Sequence, residues 1–215
     1  YREHYHEEPY ARAMGEGRDI IGKRKDGSEF PIEVSLSPIE IENSHIIVAY
    51  VQDITQRKQL EREKTRQEEN LRLFYDVTTR PGLSMHERFN LVLKTVLDIL
   101  NLDIGIISHI EGDIYTVIYT VAPPDTLSPG QTFETGNTYC DITIQEDNVI
   151  AIEHMKESSY QAHPCYAAFA LECYIGAPIY IDDKPYGTIN FSSPTPRTKR
   201  FTSTEIALVR LAAQW

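Results

Sequence analysis

Most residues of this chain that could do chemistry lie in one stretch. Between about 137 and 170 come Tyr139, Cys140, His154, His163, Cys165, Tyr166 and Phe169, with Tyr174 and Asn190 beyond as polar groups. Thiols and imidazoles are ligands and potential nucleophiles, and clustered aromatics with few polar groups suit a modest ligand cavity. A thiol nucleophile needs a base turned towards it. His163 and Cys165 sit two apart on an irregular segment, where such neighbours rarely face each other, and no oxyanion loop or Gly-rich phosphate cradle accompanies them. No catalytic residue is therefore expected. A zinc or iron–sulfur centre would have to draw Cys140, His163, Cys165 and Cys173 together, across a stretch between Cys165 and Cys173 that should be helical. No metal site is expected either. A small, uncharged or aromatic metabolite is one remaining reading; a filled, ligand-free core is the other.

Composition narrows the classes. The 215 residues exceed one typical domain, and 41% hydrophobic with 25% charged residues is ordinary for a globular protein. The net charge is −11, and from Pro81 onward 8 Lys/Arg face 16 Asp/Glu. Such a surface repels phosphate backbones, so nucleic-acid binding is not expected. Three cysteines without CxxC spacing suit reduced thiols, and no apolar run is long enough to span a bilayer. The expected location is the cytoplasm. The chain begins at Tyr1 and ends at Trp215 within an amphipathic helical repeat, which reads as a fragment of something longer.

The elements that must position these residues follow from periodicity. Phe30, Ile32, Val34 and Leu36 alternate with polar neighbours, the pattern of a strand with one buried face. Asp26-Gly27 predicts a tight hairpin, Asn43-Ser44 a second turn, and 46–51, apolar on both faces, a central strand. Asp53 and Gln56 have capping-box spacing, so a helix should start at Asp53 and run to Thr79, free of Gly and Pro. Its sparse seam at Leu60, Leu71 and Phe74 predicts a parallel dimer, since so polar a helix buries little alone. Pro81-Gly82 ends it. Ser84 and Glu87 open a second helix with an apolar stripe at Phe89, Val92, Leu93, Val96, Leu97 and Leu100. Strands are expected at 103–110, 114–121, 132–135, 149–152, 174–181 and 186–192, with short helices near 139–145 and 166–171. Phe201, Thr202, Glu205 and Ile206 announce a last helix. The fold class is α+β: an antiparallel sheet backed by terminal helices.

Two stretches resemble known families. GKRKDGSEFPIEVSLSPI (22–39) followed by VQDITQRK (51–58) is similar to the last strands of a PAS domain. YIGAPIYIDDKPYGTINFSS (174–193) and RFTSTEIALVRLAAQW (200–215), after the helix-then-strand opening, resemble a GAF domain. The implied organisation is 1–52, the C-terminal part of a PAS domain; 53–80, a signalling-helix linker; and 81–215, a GAF domain with its last helix truncated. Three PAS strands cannot close a pocket, so any PAS ligand would belong to a part not seen.

The resemblance implies a sensory input region of a bacterial signal-transduction protein, homodimeric, feeding an output domain of histidine kinase type. It implies no enzyme within these residues. Asp53 and Thr55 match the motif at which a PAS sheet hands over to its signalling helix. The ligand would sit among Tyr139, Cys140, His163, Cys165, Tyr166, Phe169, Tyr174 and Asn190. The alternative is a ligand-free GAF dimer that acts as a spacer. Less favoured are a cyclic-dinucleotide cyclase output, for which no GGDEF-like signature is present, and photo- or gas sensing. Bilin would need Cys165, which is followed by Tyr166 where the family usually has His. Haem would need His6, whose surroundings at Tyr10, Arg12 and Arg18 resemble oxygen-sensing PAS domains at a shorter spacing. No cofactor is required by the sequence.

Overall fold

The chain forms two compact units, 1–67 and 68–215, whose boundary falls within one continuous helix. The computed structural model describes residues 12–14, 20–41 and 44–215, so His6, Tyr10, Arg18 and the expected turn at Asn43 lie outside the described residues.

In the first unit, β3 (Glu29–Ile41) pairs antiparallel with β1 (Arg12–Met14), β2 (Ile20–Lys23) and β4 (Ser44–Asp53). The hairpin between β2 and β3 turns on Gly27 at φ 87°, a conformation open to glycine at little cost. Among the described residues β4 pairs only with β3, and Ile46, Val48, Tyr50 and Val51 are exposed. The expectation of a central strand at 46–51 is corrected. Two apolar faces record composition, while partners set a strand's place in a sheet, and β3 is the central one.

The helix α1 (Thr55–Thr79) begins two residues after the expected Asp53. Asp53 closes β4, and its Oδ1 accepts from Thr55 N at 2.9 Å and Thr55 Oγ1 at 2.6 Å. This is a local turn around the helix start, and the reciprocal bond from Gln56 predicted for a capping box does not appear. Within the same unit Arg57 makes a two-pronged contact to Glu33 at 3.1 and 3.2 Å, and Arg24 reaches Asp53.

In the second unit α2 (Met85–Leu100) starts with a complete capping box. Ser84 Oγ accepts from Glu87 N, and Glu87 Oε2 accepts from Ser84 N at 2.8 Å. A sheet follows from β5 (Ile104–Glu111), β6 (Ile114–Val121), β7 (Thr132–Glu134), β8 (Ile150–Ile152), β9 (Cys173–Ile181) and β10 (Lys184–Ser193). The spatial order is β7-β6-β5-β10-β9-β8, all antiparallel. The turn between β9 and β10 puts Asp182 and Asp183 both in left-handed backbone (φ 50° and 58°), as a tight hairpin requires.

One face of this sheet carries Ile107, Ile175, Ala177, Ile189 and Phe191. It packs on Val92, Leu93, Val96, Leu97 and Leu100 of α2 and on Leu208, Val209 and Ala212 of α5 (Ser203–Gln214). Phe74 joins that core at 3% exposure, which removes it from the expected dimer seam. The helical period placed it correctly on an apolar face, but that face turns into its own domain. Leu60 and Leu71 stay exposed, at 60% and 47%. The short helices α3 (Cys140–Glu146) and α4 (Pro164–Phe169) lie in the irregular segments joining β7 to β8 and β8 to β9.

Candidate functional site

The sheet's second face builds the site. Strand alternation sends Ile104, Ile106, Ser108, Thr188, Asn190 and Ser192 to the side opposite the helices, with Tyr174 and Gly176 beside them by register. Tyr115 and Val117 of β6 reach this side because a bulge between Ile107 and Ser108 shifts the register of β5 against β6. The irregular segments cover that face without filling it. They leave a cavity of about 600 Å³, lined by Ile104, Ile106, Tyr115, Phe133 and Asn190 from the sheet and by residues including Leu127, Tyr139, Cys140, Cys165 and Phe169 from the cover.

The floor of the cavity is polar and closely packed. Asn190 Nδ2 lies 3.3 Å from Cys140 Sγ, 3.3 Å from Thr188 Oγ1 and 3.4 Å from the Tyr115 hydroxyl. Thr188 Oγ1 is 2.9 Å from Ser108 Oγ, and the Tyr174 hydroxyl is 2.7 Å from Thr143 Oγ1. Tyr139 donates to the carbonyl of Leu171 at 2.9 Å, which ties α3 to the strand entering β9. Gly176 makes room for this arrangement. A Cβ there would stand 2.3 Å from the Tyr174 hydroxyl.

Electrostatically the floor is neutral. Burial pushes the Tyr115, Tyr174 and Cys140 groups up, and it pushes the Cys165 thiol up to about 12. These groups donate and accept hydrogen bonds as uncharged species at ordinary pH. A thiol so placed is not an activated nucleophile.

Of the eight expected pocket residues, Tyr139, Cys140, Cys165, Phe169, Tyr174 and Asn190 line this one cavity. His163 and Tyr166 do not. His163 Nδ1 accepts from Cys165 N at 3.2 Å and so caps α4, with burial holding its imidazole below the usual value. Tyr166 donates to Glu172 Oε1 at 2.5 Å. Both sit on α4 or at its start, but their side chains serve the segment's own folding. The three cysteines belong to three different buried clusters, Cys173 to the helix-side core, so they do not converge. Among the described residues no group of three or more His, Cys, Asp or Glu could hold a metal ion. Sequence reasoning missed Ile104, Ile106, Tyr115, Leu127, Phe133 and Ser192. Strand alternation could have found Ile104 and Ile106 beside Asn190, but the bulge breaks the count that would have delivered Tyr115.

A clasp connects the cavity's edge to the helices. Ser192 and Pro194 line the cavity, and three residues later Arg197 pairs with Glu205 at 2.8 Å and donates to the carbonyl of Leu100 at 3.1 Å. One guanidinium thus ties the end of α2 to the first turn of α5. Glu153, next to β8, accepts from the backbone of Phe201 at 2.8 Å through its carboxylate and from the backbone of Arg197 at 2.9 Å through its carbonyl.

The family model for the GAF domain matches residues 84–215. No curated protein matches the chain in sequence. Among solved structures, the GAF domain of a phosphoenolpyruvate-protein phosphotransferase from Coxiella burnetii superposes with a TM-score of 0.54 at 16% identity, covering 69% of this chain and 89% of that one. The phycoerythrobilin-bound GAF domain of a cyanobacterial phytochrome gives 0.52 at 16% identity, covering 68% and 90%. The chromophore-binding domain of a Stigmatella aurantiaca phytochrome gives 0.52 at 10% identity, covering 91% and 71%. At such identities the likeness is one of fold.

Proposed function

This chain belongs to the GAF domain family, and from that premise we propose that it is a sensory input module of a signal-transduction protein, which binds a small molecule in the cavity against its sheet. The observation that carries this reading is the cavity of about 600 Å³. A domain that served only as a spacer would gain by filling such a space, because a void forfeits packing on every wall. The cavity's cover is made of short helices and loops, the parts of a fold that rearrange at the lowest cost.

The relay runs from the cavity's edge at Ser192 and Pro194 to Arg197, which holds α2 and α5 together. Movement of the cover on ligand binding would shift that joint and reach α5, and through it an output domain of histidine kinase type. The first unit, with its KDGSEFP and DIT sequences, is part of a PAS domain on this reading. Two copies pair in parallel along the exposed stripe of α1 that includes Leu60 and Leu71. A helix of 25 residues, polar on most sides, is marginal in water without such a partner.

Native mass spectrometry and thermal unfolding of the 215-residue chain test the reading. The expected result is a retained small molecule, or a library compound that raises the melting temperature in proportion to the logarithm of its concentration. A chain that keeps no extra mass and gains stability from no compound would be a ligand-free spacer, and the sensory reading would fall.

A further inference from the structure

The side chains that line the cavity differ from those a charged ligand needs. Among the described residues no Lys, Arg or His lines it, and Asp103 is its only ionisable carboxylate. Three arginines of this domain are engaged away from it. Arg197 is bound to Glu205 and Leu100, Arg88 donates to the carbonyls of Leu83 and Thr78, and Arg210 reaches Asn148. The nearest histidine in sequence, His163, is occupied as the cap of α4.

The polar floor cannot stand in for a cation. Asn190, Tyr115, Cys140 and Tyr174 offer hydrogen bonds from neutral groups, already spent largely on each other and on Thr188 behind them. Asp103 is exposed, and it accepts from Ser193 Oγ at 2.5 Å, so at the mouth it adds negative charge without a strong pull on a ligand cation. An anion entering would lose its hydration and meet nothing of opposite sign. An aromatic ring would instead meet Tyr115, Phe133, Tyr139 and Phe169, with the Asn190 amide as one polar anchor.

On the reading that this cavity is a ligand site, we propose that it selects an uncharged ligand with an aromatic ring system and one hydrogen-bonding group, and that it excludes anions. Tetrapyrroles and nucleotides fall outside this class. A tetrapyrrole brings two propionates with no cation to receive them, and its tether would have to be Cys165, which is 3% exposed and held as the thiol. A nucleotide brings a phosphate to the same neutral walls.

The test uses two fluorescent probes with the same rings, N-phenyl-1-naphthylamine and its sulfonate 8-anilinonaphthalene-1-sulfonate, titrated against the full chain. The neutral probe should bind at least about tenfold more tightly. Leu127→Arg, at the half-buried rim, and Thr126→Arg, at an exposed lining position, each place a cation at the mouth and should narrow or reverse that ratio. Either variant suffices if the other folds poorly. Equal affinities, or tighter binding of the sulfonate, would overturn the selection while leaving a ligand site in place. A preference that neither variant changes would also overturn it, since the discrimination would then arise elsewhere. If neither probe binds, this proposal fails, while the ligand reading beneath it is decided by the retained mass and thermal unfolding of the chain.

Discussion

Gly176 sits where any other residue would collide with the largest polar side chain of the cavity floor. Its Cβ position lies 2.3 Å from the Tyr174 hydroxyl and 2.8 Å from Cζ, and Tyr174 is almost wholly buried, so the ring would have to leave its place against Thr143. Gly176→Ala should therefore cost about 2 kcal/mol, the range for overpacking a core, and displace the ring from Thr143. Denaturant unfolding checks the first effect, and the near-ultraviolet circular dichroism of the tyrosines checks the second. The cysteines make a complementary case. All three are buried, and the thiols of Cys165 and Cys173 are pushed up to about 12 by that burial. Iodoacetamide at neutral pH should leave the native chain unmodified and label three sites once it is denatured. Rapid labelling of Cys140 or Cys165 in the native state would show an open, ionising thiol and contradict the neutral floor.

At the scale of elements, the joint between α2 and α5 holds together two helices of the second unit that lie far apart in the chain. Arg197 and Glu205 keep side-chain exposures of 19% and 9%, so their pairing is largely desolvated. Arg197→Met leaves Glu205 buried without its guanidinium and frees the carbonyl of Leu100; the loss should be about 3 kcal/mol. Burial alone would raise the Glu205 carboxyl. Hydrogen bonds from Thr202 and Arg197, with the Arg197 charge, outweigh it and hold the group below its ordinary value of 4.5. A carboxyl lowered in the folded state stabilises fully above that ordinary value. The contribution is lost as pH falls from there through the lower folded value. Stability of the native chain should decline over that acid window, and the decline should be shallower in Arg197→Met, where the part of the lowering due to Arg197 is lost and only the Thr202 hydrogen bonds remain. Unfolding midpoints measured from neutrality into that window would reveal either outcome. The capping boxes at Ser84 and Thr202 act at the same scale, each satisfying helix N–H groups that would otherwise lack partners.

For the whole molecule the question is how a long polar helix is kept ordered. Its C-terminal half anchors in the second unit through Phe74 and Thr78, while Leu60, Leu71, Leu73 and Tyr75 stay exposed. With Phe74 committed inward, the proposed pairing of two chains has to rest on the exposed side of the helix that carries Leu60 and Leu71. Replacing Leu60 and Leu71 together by Gln should convert a dimer to a monomer in sedimentation. The second unit should keep its melting behaviour, because neither side chain contributes to its core. A double variant that remained dimeric would place the interface elsewhere, and a wild-type monomer would remove the dimer altogether.

The sequence by itself determined the α+β class, the helices and most strand spans, because each rests on a local signal. The stripe from Phe89 to Leu100, the Ser84/Glu87 and Thr202/Glu205 caps, and the tight turn at Asp182-Asp183 involve residues a few positions apart. It also named six residues of the cavity, four of them (Tyr139, Cys140, Cys165 and Phe169) because aromatic and thiol side chains in an irregular segment stand out from a periodic background. Tertiary structure decided what depends on partners far along the chain. It placed β3 rather than β4 at the centre of the first sheet, turned Phe74 inward, and separated Cys173 from Cys140 and Cys165. The bulge after Ile107 carried Tyr115 into the cavity, and His163 and Tyr166 were drawn away to cap and brace α4. Periodicity reports which side of an element is apolar; only the packed fold decides what that side meets.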